Sequence, residues 1–220
     1  MKAADVLTDL LWPSRCIVCR RYMGPEPPGI CRRCLSEMPP PPRGGKRVEF
    51  GGRALGVFSY TGPFRDAVLR YKFGARDVYA KPFGKLLAAK IAEAPEGRYD
   101  LITWLPIHWK RRLRRGYDQA KLLAKHAAGS LGTRPVRTLR KIRNTKPQSQ
   151  TSSPAERRAN ILNAFRAVRP ERFRGKRILL IDDILTTGAT MNEAARTLLT
   201  AGADEVVCCV LAMTTNQQSR

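Results

Sequence analysis

The chain lacks several things that would narrow its chemistry quickly. No stretch of its 220 residues approaches the ~20 consecutive apolar residues of a membrane-spanning helix. Its first eleven residues scatter Lys2, Asp5 and Asp9 among Val6, Leu7, Leu10 and Leu11. That pattern suits a short amphipathic helix and not a secretory leader, so the expected compartment is the cytoplasm. There is no internal repeat and no long low-complexity tract. Acidic residues are scarce: 18 Asp and Glu face 41 Lys and Arg, a net charge of +23. An excess of this size favours polyanionic partners such as nucleic acid, an anionic membrane face or phosphorylated small molecules, although a merely solvated basic surface has the same composition.

With 43% apolar residues the chain can bury one sizeable core and carry a small annex. Residues 1–42 form that annex, holding four cysteines and closing on Pro39-Pro40-Pro41-Pro42. A proline run favours an extended linker, so the boundary is drawn there and residues 43–220 form the main domain. Cys16-x-x-Cys19 and Cys31-x-x-Cys34 are two knuckles separated by eleven residues in a segment too short to fold on its own core. In a chain without an export signal this spacing reads as a structural Zn²⁺ site, whose four thiolates supply folding energy. Cys208 and Cys209 sit in an apolar run and read as core.

Beyond the linker, residues 53–60 read as a strand, residues 64–73 as a helix after the Thr61-Gly62-Pro63 turn, and Phe83, Leu86, Leu87, Ile91 and Ala94 recur at helical spacing. Residues 101–105, 178–181 and 205–212 are short apolar runs expected as buried strands, and 138–142 is a further strand candidate. Helices are expected over 117–128 and 190–200, and from the capping box Ser153-Pro154-Ala155-Glu156 onward. Strand, helix, strand in succession implies parallel pairing through right-handed crossovers. The expected fold class is therefore α/β, a mainly parallel sheet flanked by helices.

The most informative stretch is residues 178–190. Four apolar residues drive a strand to the edge of the sheet, Asp182 and Asp183 follow, and then comes Thr186-Thr187-Gly188-Ala189-Thr190 opening a helix. Ligands of open α/β sheets bind at the carboxyl ends of strands. The turn offers hydroxyls and backbone N–H groups, and the helix amino end favours a dianionic phosphate. The adjacent carboxylates would accept hydrogen bonds from ribose hydroxyls, or share a Mg²⁺ with them. The turn lacks the Gly-Lys-Ser/Thr ending of a nucleoside-triphosphate loop. The stretch resembles the motif by which type I phosphoribosyltransferases hold 5-phosphoribosyl-1-pyrophosphate (PRPP).

Cations for the pyrophosphate are sought in the run Lys110 to Arg115 after Pro106-Ile107-His108, with Arg114 and Arg115 as first candidates and His108 beside them. A second source is the loop with Arg143, Lys146, Gln148 and Gln150, with Arg157 beyond it. Taken together, Pro106-Ile107-His108, Arg115-Gly116-Tyr117-Asp118-Gln119, Arg157 with Asn160 and Phe165, the acid-and-threonine motif and the leading cysteines resemble the ComF family over nearly the whole chain. Asp118 stands where that family usually shows Asn, and Thr151 and Ser152 where a leucine is usual. The resemblance implies a phosphoribosyltransferase-like domain behind a zinc ribbon and a link to DNA uptake. Its implied partners are PRPP or another ribose 5-phosphate compound, single-stranded DNA, and a competence helicase or other protein. Transferase and DNA-binding module both remain open at this point.

Overall fold

The computed structural model describes residues 14–24, 29–74, 77–94, 99–145 and 154–215. The expected helix at the amino terminus and the start of the capping box at Ser153 lie outside them. Seven strands are found among the described residues: β1 (Lys46–Val48), β2 (Gly52–Ser59), β3 (Leu101–Trp104), β4 (Leu139–Lys141), β5 (Phe165–Ala167), β6 (Arg177–Leu185) and β7 (Glu205–Met213). Five of them form one sheet in the order β1-β2-β7-β6-β3. Its inner pairs β2·β7, β6·β7 and β3·β6 are parallel, as expected, and only the edge strand β1 runs antiparallel. The short β4 and β5 pair antiparallel as a separate ribbon.

The helices are α1 (Arg32–Glu37), α2 (Gly62–Phe73), α3 (Ala80–Glu93), α4 (Trp109–Arg115), α5 (Gln119–Ser130), α6 (Pro154–Ile161) and α7 (Ala189–Thr200). The apolar strand runs are buried on both faces because helices cover both. Ile102, Leu179, Ile181, Val207 and Cys209 point into a core with Phe64 and Tyr71 of α2, Phe83 and Leu87 of α3, and Leu123 and Ala124 of α5. Ile178, Leu180, Val206, Cys208 and Val210 point the other way, against Met191, Ala194 and Leu198 of α7 and Phe173. The two core cysteines thus alternate across the sheet, as period-two side chains must. Helices α3 and α5 touch closely at Gly84, where an added Cβ would stand 2.4 Å from Cβ of His126.

Two local expectations are corrected. Strand β6 does not stop at Ile181; its ladder continues through Asp182↔Val210, Ile184↔Ala212 and Leu185↔Met213, because β7 stays apolar beside it and keeps offering partners. The helix expected from Tyr117 starts at Gln119, since Asp118 caps it by accepting from the N–H of Lys121. The basic run before it is itself the helix α4, ended by Gly116 at φ 82°. Cys16, Ile17, Val18, Cys34 and Met38 are buried in the same cluster as residues of α2 and α3.

Candidate functional site

The parallel strands β2, β3, β6 and β7 all end on one side of the sheet, and the expected site residues gather there. Strand alternation turns Asp182 and Asp183 in opposite directions. Asp183 is buried, with Lys72 of α2 donating to its Oδ1 at 3.0 Å. Asp182 accepts through Oδ1 from the N–H of Asp183 at 2.8 Å. Its carboxyl is pushed well above the ordinary range, by burial first and by the neighbouring charge of Asp183 second, with Lys72 working the other way.

The turn that follows is held from behind. Lys46 of β1 donates its Nζ to the carbonyl of Thr186 at 2.7 Å and to Oγ1 of Thr214 at 2.6 Å, tying the ends of β6 and β7 together. Burial holds this ammonium below its ordinary range. Gly188 then takes φ 80°, a conformation that favours glycine, and α7 begins at Ala189 with Thr190 in its first turn. A helix start leaves its first N–H groups without intrahelical acceptors, the usual cradle for an anion. A cavity of about 370 Å³ opens beside Thr187, Gly188 and Ala189, with Phe50, Leu162 and Arg196 on its walls.

Across the sheet end, α4 divides its arginines. Arg111 and Arg115, one helical turn apart, face inward: Arg111 donates to the carbonyl of Thr145, and Arg115 lies 4.9 Å over the Phe73 ring and donates to Oε1 of Gln119 at 3.1 Å. The Nε of Arg115 is buried, with no acceptor among the described residues. Burial lowers the Arg115 guanidinium, and the charge of Asp183 partly offsets this. Arg114, expected as an equal partner, lies on the solvent face. His108 is buried and caps α4, its Nδ1 accepting from the N–H of Lys110 at 3.4 Å. Burial, then Lys110, Lys141 and Arg111, hold that imidazole below its ordinary range. Of the second cation source, Arg143 donates to the carbonyl of Leu162, while Lys146, Gln148, Gln150 and the Arg157 side chain lie outside what is described.

The Tyr117-Asp118-Gln119 segment has a structural task beside the site. Asp118 accepts from Ile107 N–H at 3.3 Å and from Lys121 N–H at 3.2 Å, so a carboxylate suffices where an amide is usual. Tyr117 donates to the carbonyl of Tyr71, and Gln119 Nε2 to that of Lys72 at 3.4 Å, pinning the end of α2. Three cations at the site were not singled out from the sequence. Lys72 reads as an ordinary last-turn lysine and Lys46 as part of a Gly-Lys-Arg loop. Lys141 reads as one more base in a basic strand, yet it lies 5.3 Å over Phe165 and is pushed down to about 8 by burial and then by Arg111, with Asp182 opposing.

At the other end of the chain, all four sulfurs of Cys16, Cys19, Cys31 and Cys34 lie within 4.8 Å of one another. The Cys16–Cys34 and Cys19–Cys31 pairs are each 3.8 Å apart. A tetrahedron of ~2.3 Å metal–sulfur bonds has edges of ~3.8 Å, so this cluster is of the right size for a metal ion. Burial raises the Cys16 thiol, but the N–H groups of Cys31, Cys19 and Val18 outweigh it and bring it to about 7.

The carboxyl-terminal half carrying the acids and the turn, residues 113–220, matches the Phosphoribosyl transferase domain family. The DNA utilization protein YhgH of Salmonella typhi is 32% identical over 181 residues, spanning 80% of this chain and 74% of its own. Competence protein F of Haemophilus influenzae is 26% identical over 87% of this chain and 93% of its own. The chain belongs to the ComF family. Competence protein ComFC of Streptococcus pneumoniae, 31% identical over 150 residues, covers 68% of this chain and 63% of its own. This ComF-family fold is of the type I phosphoribosyltransferase class, mixed α/β with a mainly parallel sheet. Among solved structures, the glutamine PRPP amidotransferase from B. subtilis aligns over 65% of this chain at 24% identity with a TM-score of 0.45; the alignment spans 30% of that enzyme's length.

Proposed function

We propose that this chain binds PRPP or a related ribose 5-phosphate compound at the carboxyl end of β6. One observation carries the reading: two acids, a left-handed glycine turn and a helix start follow one another at the end of a central parallel strand, inside the segment that matches the phosphoribosyl transferase domain. The amides and hydroxyls of Thr186, Thr187, Gly188, Ala189 and Thr190 would hold the 5′-phosphate, and Asp182 and Asp183 the ribose diol. Arg115, with Arg111 and Lys141 behind it, would face the pyrophosphate; exposed Arg114 and the capping His108 would contribute at the rim. With such a ligand in place, a nucleophile attacks C1 as pyrophosphate departs, and the protein stabilises the developing oxocarbenium charge with its two carboxylates and the leaving group with its arginines. Mg²⁺ would serve as counter-ion to the departing pyrophosphate. Calorimetry with PRPP and magnesium tests the reading: the double variant Asp182→Asn, Asp183→Asn should lose binding, and unchanged binding would refute it.

Zn²⁺ is proposed for the four-sulfur cluster as a structural ion. The segment through residue 42 is proposed as a module docked on α2 and α3, through its buried Cys16, Ile17 and Val18.

A second reading rests on the outer face of α4, where Trp109 and Leu113 are exposed together with Lys110, Arg112 and Arg114 on a chain of charge +23. An exposed aromatic among cations suits single-stranded DNA, and relatives are named for DNA utilization and competence. The transferase-like pocket would then grip a phosphorylated end or sense nucleotide supply, and a competence helicase or another protein would be the partner. Salt-dependent binding of single-stranded DNA without pyrophosphate release distinguishes this reading from turnover. Among the described residues no helix is long and apolar enough to cross a membrane.

A further inference from the structure

The carboxylates of the site already have a cation. Lys72 occupies the last turn of α2 and places Nζ 3.0 Å from Oδ1 of Asp183; the two side chains are 22% and 8% exposed. The backbone that carries Lys72 is held in position. Its own carbonyl accepts from Gln119 Nε2, the carbonyl of Tyr71 accepts from Tyr117, the Tyr71 hydroxyl donates to the carbonyl of Gln119 at 2.8 Å, and Arg115 packs over Phe73. The ammonium is therefore built into the site and is not a surface charge that happens to reach it.

A divalent ion fits poorly beside such a lysine. Mg²⁺ needs oxygen ligands at ~2.1 Å in near-octahedral array and rarely sheds its waters. At Asp183 it would share a carboxylate with an ammonium already in contact, two like charges at close range. Asp182, for its part, has turned Oδ1 to the N–H of Asp183. We infer that Lys72 is the resident cation of the diol subsite, neutralising Asp183 through Oδ1 while its second oxygen accepts from a ribose hydroxyl, so that the sugar-phosphate half of the ligand binds without magnesium. This rests on the ribose 5-phosphate reading above and assigns magnesium to the pyrophosphate half alone.

The test uses ribose 5-phosphate, which has no pyrophosphate, titrated calorimetrically into the full chain in chelator and in excess magnesium. Wild type should bind equally in both, within about twofold. Lys72→Met should bind about tenfold more weakly in chelator and recover in magnesium, and Lys72→Arg should keep magnesium independence. Manganese(II) paramagnetic resonance gives a second readout: wild type without PRPP should bind no ion tightly, and Lys72→Met should gain a site. If wild type needs magnesium to bind ribose 5-phosphate, or if Lys72→Met in chelator matches wild type, the inference fails while the ribose site stands. If wild type binds ribose 5-phosphate under neither condition, the site reading itself falls and takes the inference with it.

Discussion

Replacing Lys46 by Met probes how far the phosphate turn depends on a residue outside the matched domain. The perturbation removes two hydrogen bonds from a charged donor, at 2.7 Å to the carbonyl of Thr186 and 2.6 Å to the Thr214 hydroxyl. Bonds of this kind contribute about 1.5–3 kcal/mol each. Burial of the ammonium opposes that gain, and the side chain is only partly buried, so the net loss is about 2 kcal/mol. For a chain of this size that corresponds to a Tm lowered by roughly 4–8 °C. The turn also loses the clamp joining β6 to β7, so affinity for a sugar phosphate should fall about tenfold, more than in the control Arg43→Gln, which removes an exposed charge from the preceding turn. Thermal melts followed by circular dichroism and calorimetry with PRPP measure both. A Lys46→Met protein that melts and binds like the Arg43→Gln control would refute the argument that this lysine organises the turn.

Three further outcomes are expected. One zinc per chain should be found by elemental analysis, and Cys34→Ser should abolish it and lower the melting temperature of the whole chain in a single transition, since Cys16, Ile17 and Val18 are buried in the main core. Arg70 donates from Nη2 to the carbonyls of Ile17 and Val18, both at 2.9 Å, so Arg70→Met should destabilise by about 1–3 kcal/mol and speed zinc loss to a chelator dye. Asp182 is held above the ordinary carboxylate range by burial and by Asp183, so the folded chain keeps this proton to higher pH than the unfolded one. Stability from this group is therefore lost as pH rises through the folded value, and Asp182→Asn should stabilise the ligand-free protein more at about pH 8 than at about pH 4 in thermal melts.

Residues 178–190 were legible because their information is local. An apolar run, two acids, a glycine turn and a helix start dictate strand, turn and helix within thirteen consecutive residues. The parallel order of the inner strands was legible for a similar reason: the strand–helix–strand succession and the right-handed crossover leave few alternatives. The paired cysteine knuckles likewise carry their chemistry in their spacing.

What depended on the third dimension was the identity of the cations and the division of labour among them. Arg114 and Arg115 are equal neighbours in the chain, and the pitch of α4 sends one to solvent and the other, with Arg111, into the site. His108, a candidate at the strand end, also caps a helix. Lys46 and Lys72 lie 140 and 111 residues from the groups they hold, with nothing in their local sequence to mark them. Local physical chemistry decided where the glycine turn and its helix start lie, because backbone geometry and helix ends are set by adjacent residues. Which charges surround it was decided by packing alone, because a lysine's partner is fixed by the helix and strand that bring it there.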